Sequence, residues 1–145
     1  MLKILLKDIF SAQYFAVLSS VGKGQPYSNL VAFAVTEDLN SLIFVTGRNT
    51  LKYRNIIQNQ RVSLLIDSRT NNPTDVEKAT AITVIGQAYE EADTKKGFHT
   101  VYLNKHPHLG QFINNPDSAL IAVSVSDYII AGFDKTERVV MGSKP

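Results

Sequence analysis

The 145-residue chain reads as mainly β: six or seven antiparallel strands curled into a partly closed barrel, with short helices packed between them. Three observations predict this. Segments rich in Val, Ile, Leu, Phe and Tyr recur along the chain, separated by Gly, Asn, Asp and Pro. Most links between them are too short for the crossover that parallel neighbours need. Helical periodicity is confined to brief stretches, so a sheet must bury the core, and closing that sheet hides its edges.

The elements follow in order. Leu2, Leu5, Leu6, Ile9 and Phe10 recur at i, i+3, i+4, i+7 spacing and predict a short amphipathic helix. Residues 14–20 and 27–36 are two strands joined by the turn Gly22-Lys23-Gly24. In the second strand Tyr27, Asn29, Val31, Phe33 and Val35 share a bulky face. Ser28, Leu30, Ala32 and Ala34 share a smaller one, on which a flat ligand could lie.

After the polar turn 37–40, residues 41–46 form a third strand with the apolar centre Leu42-Ile43-Phe44-Val45. Asn49 or Thr50 then caps a helix that carries Tyr53, Ile56 and Ile57 to about Asn59. Residues 62–67 are a fourth strand, 68–78 a polar loop able to meet a partner, and 79–89 a fifth strand interrupted at Gly86. Asp93 or Thr94 caps a helix bearing Phe98, Val101 and Tyr102, and Leu109, Phe112 and Ile113 suggest another turn or two. Residues 119–130 are a long strand, and 138–141 a short last one.

Length fits a single domain over residues 1–145. Fifteen Lys and Arg against 13 Asp and Glu give +2, too little for a nucleic-acid footprint. An oligonucleotide-binding barrel would need a basic groove with interleaved aromatics, which the spacing does not offer. The chain has no cysteine, which excludes thiolate chemistry and disulfides and makes a cytoplasmic setting the expectation. The first apolar run is broken by Lys7 and Asp8, so it is read as mature protein, and no membrane span is expected.

The richest chemistry lies in Thr46-Gly47-Arg48-Asn49-Thr50-Leu51-Lys52, where a strand hands over to a helix. A helix start offers unpaired N–H groups and a positive dipole end. Thr50 adds a hydroxyl, and Arg48 and Lys52 add charge, so the segment suits a phosphate. Read plainly, Thr50 is a cap and the cations are solvated. His99, His106 and His108 lack a carboxylate or thiolate at ligand spacing and are expected at the surface or an interface, with no metal. Glu90-Glu91 reads as a solvated turn.

Residues 28–67 resemble the flavin-binding core of the pyridoxamine 5'-phosphate oxidase-like family, a Greek-key split barrel. The likeness rests on strand 28–34, the strand-ending Thr46, Thr50-x-Lys52 opening a helix, Asn59-Gln60, and the strand Val62-Ser63-Leu64-Leu65. It implies a homodimer binding flavin mononucleotide (FMN) at the subunit interface. Asn29, Leu30, Val31 and Ala32 would run beside the ring, and Val45 and Thr46 would flank the ribityl chain. Thr50, Lys52, Arg48 and the adjoining Asn49 would hold the phosphate, with Thr80 as a further polar contact. Asn29 stands where many relatives have Arg. The ending at Arg138–Pro145 lacks their Arg- and His-bearing substrate segment, which argues against the vitamin substrate. The implied activity is an oxidoreductase acting on a small molecule, reduced by a nicotinamide nucleotide. A flavin or haem carrier without turnover, and a deazaflavin-dependent reductase, remain alternatives.

Overall fold

A computed structural model, described for residues 1–92 and 94–142, has seven strands and five short helices among those residues. Helix α1 (Leu2–Ala12) buries Leu6, Ile9 and Phe10, the inner part of its predicted apolar stripe. Strands β1 (Phe15–Gly22) and β2 (Gln25–Val35) pair in register through a two-residue turn. Lys23 and Gly24 both take positive φ, 51° and 77°, the left-handed pair whose twist matches that of the flanking strands.

β3 (Ser41–Gly47), α2 (Leu51–Gln58) and β4 (Arg61–Asp67) follow. The loop after β4 contains a single-turn helix, α3 (Asp75–Lys78). It is held by the Asp75 carboxylate, which accepts from the Thr70 and Asn72 N–H groups at 2.9 and 3.2 Å. β5 (Ala81–Glu90) leads to α4 (Phe98–Lys105), α5 (Gly110–Asn114), the long β6 (Ser118–Ala131) and β7 (Thr136–Val140). Asp93, one of the two expected caps, and residues 143–145 lie outside the described residues.

The strands run β3-β2-β1-β4-β5-β6-β7, all antiparallel, and β3 also pairs with β6 to close a six-stranded barrel with β7 added. Because β6 is long, its first half pairs with β3 and its second half with β7, while β5 runs along its other edge. The β5–β6 register shifts at Ile85/Gly86. A Cβ on Gly86 would lie 2.3 Å from the Ser124 carbonyl oxygen, so the predicted interruption is a bulge only glycine can fill.

Two apolar clusters divide the molecule. The larger fills the barrel with Leu18, Phe33, Leu42, Phe44, Leu64 and Ile82 among others. The smaller lies outside it, where α4 and α5 cover Ala34, Ile43, Val45 and Leu120 with Tyr102 and Ile113. Alternation along β3 sends Leu42 and Phe44 inward and Ile43 and Val45 outward, so one strand serves both. Among the described residues no helix is long and apolar enough to cross a membrane.

Candidate functional site

The site begins with a change of partner. β2 pairs with β1 from Gln25 to Ala32 but with β3 only from Phe33 to Val35. β3 continues to Gly47 on β6 alone. The edge of β2 around Leu30 and Ala32 is therefore left without a strand. Phe33 N–H donates to the Tyr14 carbonyl on the β1 side. By ladder alternation the peptide groups of Leu30 and Ala32 then face the other way, into the gap.

That gap is one wall of a cavity of about 1080 Å³. Its floor is Leu30, Val31, Ala32 and Val45. One end is the β3–α2 turn with Thr46, Gly47, Thr50 and Lys52, and the other is the α4–α5 lobe from Tyr102 to Phe112; Tyr14 and Phe15 flank it. The lobe is pinned to the barrel through backbone acceptors. The Tyr102 hydroxyl donates to the Ala32 carbonyl at 3.4 Å, His106 Nε2 lies 2.8 Å from the Phe33 carbonyl, and the Lys105 ammonium donates to the Phe10 carbonyl at 2.7 Å. Lys105 also sits 3.7 Å over the Phe33 ring.

At the turn, Thr50 is the helix cap, its hydroxyl accepting from Tyr53 N–H at 3.3 Å and donating to the Gly47 carbonyl at 2.9 Å. The Thr46 hydroxyl is 2.9 Å from that of Thr50. These bonds fix the turn that closes this end of the cavity, where the first N–H groups of α2 lack intrahelical partners. Lys52 follows, half-buried. Among the described residues its ammonium has no carboxylate or hydrogen-bond partner, and desolvation lowers its pKa from the usual 10.5. A cation held out of water without a counter-charge is a place for an anion.

The structure gathers Leu30, Val31, Ala32, Val45, Thr46, Thr50 and Lys52 around this cavity and leaves Asn29, Arg48, Asn49 and Thr80 outside its lining. Asn29 faces the barrel interior, its buried Oδ1 without a hydrogen bond. Arg48 is drawn away by a partner at the end of β5. Its guanidinium pairs with Glu90 and donates to the Pro116 carbonyl at 2.6 Å, while the Tyr53 hydroxyl donates to Glu90 at 2.6 Å. Asn49 is exposed, and its carbonyl accepts from Arg54 at 3.2 Å. Thr80 is occupied with Ser68 across the β4–β5 loop, its N–H donating at 2.9 Å.

Two expectations are corrected. Glu90 is not a solvated turn residue: burial alone would raise its carboxyl pKa, but Tyr53 and Arg48 together outweigh that and lower it. His106 is not at the surface but 1% exposed, because the carbonyl that β2 frees at Phe33 gives its ring a partner. Burial lowers its pKa, helped by the neighbouring Lys105 and His108 charges, and the Phe33 bond only partly offsets this. Burial likewise pushes Lys105 down to about 8 and Tyr102 up to about 12. Sequence reasoning finds the helices that carry Tyr102 and Phe112 but not that they form a wall of the cavity.

The sequence model described as pyridoxamine 5'-phosphate oxidase matches residues 2–129. No curated protein matches. Among solved structures, a heme binding protein from Mycobacterium smegmatis superposes with a TM-score of 0.80 at 15% identity, covering 91% of this chain and 55% of that one. General Stress Protein 26 from Bacillus anthracis gives 0.71 at 22%, covering 95% and 98%. A FAD-binding protein from Mesorhizobium loti gives 0.68 at 16%, covering 87% and 89%. At these identities the structural likenesses establish the fold. The chain spans just over half the length of the mycobacterial protein. Among the described residues no group of three His, Cys, Asp or Glu side chains could hold a metal ion.

Proposed function

Since the chain belongs to the pyridoxamine 5'-phosphate oxidase family, we propose that it is an FMN-binding oxidoreductase acting on a small molecule. The observation that carries this is Lys52, a half-buried cation without a partner among the described residues, beside the capped start of α2 and one cavity wall away from an unpaired strand edge. Lys52 and the first α2 amides grip the phosphate. The Leu30 and Ala32 peptide groups meet the polar edge of the ring with donors and acceptors in alternation, and Val45 supports the chain between. Bound flavin supplies the hydride acceptor, so the protein need only bind, orient and keep out water.

The working unit is a homodimer. Across the outside of the barrel Leu30, Val17 and Leu65 lie side by side on β2, β1 and β4. Leu30 and Phe15, 63% and 60% exposed, continue this apolar strip to the cavity mouth. A second copy on the strip would bury it and roof the cavity. A carrier of flavin or haem without turnover is the second reading, favoured by the likeness to the mycobacterial protein named for heme binding.

The test is direct. Protein purified from cells should be yellow, release FMN on denaturation, sediment as a dimer, and have its flavin reduced by a nicotinamide nucleotide. Colourless protein that takes up no added FMN overturns the flavin reading. Bound flavin that no nicotinamide nucleotide reduces favours the carrier.

A further inference from the structure

At about 1080 Å³ the cavity lies at the top of the range that small-molecule sites enclose, about 300–1000 Å³. Its chemistry is also one-sided. The lining holds two lysines and two histidines and not one carboxylate. The two lysines stand at opposite ends, Lys52 at the β3–α2 turn and Lys105 in the α4–α5 lobe. On the reading proposed above, the flavin phosphate claims the first end. The second end is left with positive charge and no assigned anion.

The polar groups of the lobe can be accounted for one by one. The Tyr102 hydroxyl, His106 Nε2 and the Lys105 ammonium are committed to the Ala32, Phe33 and Phe10 carbonyls. Among the described residues two polar side chains of the lobe wall have no hydrogen-bond partner, the Asn104 carboxamide and the His108 imidazole. Both residues are exposed at the cavity mouth. The His108 ring is held edge-on to His106, their centroids 6.2 Å apart at 70°. Flat apolar surface lies beside them, with Phe112 39% and Tyr14 61% exposed. Unpartnered polar groups on a lobe fixed to the barrel, a lysine behind them, no carboxylate in the lining and aromatic faces on and beside the lobe make a preformed receptor for a flat acid.

We infer that the α4–α5 end of the cavity is a subsite for a second ligand, a planar aromatic carboxylate, with its carboxylate at Asn104 and His108 and its ring against Phe112 and Tyr14. This deepens the flavoprotein reading and rests on it, since the flavin must fill the other end. Lys105 contributes charge from behind the site, because its hydrogen bond already points into the barrel wall. A positively charged or bulky aliphatic ligand fits neither the charge nor the flat faces.

Benzoate is the probe, titrated into FMN-loaded protein and followed by the flavin absorbance and fluorescence. Benzamide, which is flat but uncharged, and cyclohexanecarboxylate, which is charged but not flat, are the controls. Benzoate should perturb the flavin saturably and bind about tenfold or more tightly than either control, as loss of a charge-assisted bond or a stacked face would predict. His108→Ala and Phe112→Ala should each weaken benzoate by a similar factor while flavin content stays at one per chain. Equal binding of benzoate and benzamide, or unchanged benzoate affinity in His108→Ala, overturns the subsite and leaves the flavin reading standing. If no flavin loads, that reading fails, and calorimetry of benzoate on the flavin-free chain still decides: heat saturating in wild type but not in His108→Ala supports the subsite, and no heat overturns it.

Discussion

The two sides of β3 are built to different rules. Inward, Leu42 and Phe44 are wholly buried in a large, mostly aliphatic and aromatic cluster filled by α1 and the strands of the barrel. Outward, Ile43 and Val45 belong to a smaller cluster that stops short at an open cavity, where cations, imidazoles and free peptide groups replace aliphatic carbon. The same strand thus carries stability on one face and recognition on the other. Dense packing makes the inner face intolerant of change in volume. The outer face is packed over a smaller area and adds sensitivity to charge and hydrogen bonding where it meets the cavity.

The sharpest way to break that contrast is Phe44→Ala. It should cost about 3–5 kcal/mol of unfolding free energy, the range for emptying a buried aromatic site, whereas Val45→Ala beside the cavity should cost distinctly less. Equal denaturation midpoints for the two variants would erase the distinction. Next in size, Lys52→Ala should weaken FMN binding by about 1.5–3 kcal/mol, the value of a hydrogen bond to a charged group. It should leave thermal stability unchanged or slightly raised, since a desolvated cation is removed. A large fall in melting temperature would make Lys52 structural.

Thr50→Ala sharpens the comparison at the boundary, because the cap serves both fold and site. A loss of about 1 kcal/mol is expected from the missing cap, and Thr50→Ser should restore most of it in the same denaturation series. A further effect is pH-dependent. Lys105 has a folded pKa pushed down to about 8 from 10.5. Between those values the unfolded chain binds more protons than the folded one, so stability rises with pH in that window. Lys105→Met should flatten that rise in denaturant midpoints measured from pH 8 to 10.5. An equal slope in both proteins would show that the amine is solvated.

Much of this architecture was legible before any coordinates, and for local reasons. The Gly22-Lys23-Gly24 turn and the Gly86 interruption were visible because backbone conformation at those points depends on a few adjacent residues. The Thr46–Lys52 end of the cavity was visible for the same reason: cap, amides and cation lie within one turn of chain. Arg48 was misjudged because Glu90, its partner, lies 42 residues away and reaches it only when the end of β5 comes alongside. His106 is expected at the surface or an interface because it sits in a Pro-containing turn with no ligand partner at the right spacing. The carbonyl that buries it belongs to Phe33, 73 residues earlier. The lobe's helices leave a trace in the spacing of their apolar residues, but their seat against β2 and β3 is tertiary and has none.

The unpaired stretch of β2 has a consequence for how such a pocket could be remodelled. Its opening comes from two backbones diverging, so replacements at Ala32 or Val45 change the shape of the pocket while the gap between the strands persists. Variation there would alter what enters without abolishing the entrance. The aperture is a property of topology, which leaves its selectivity free to drift.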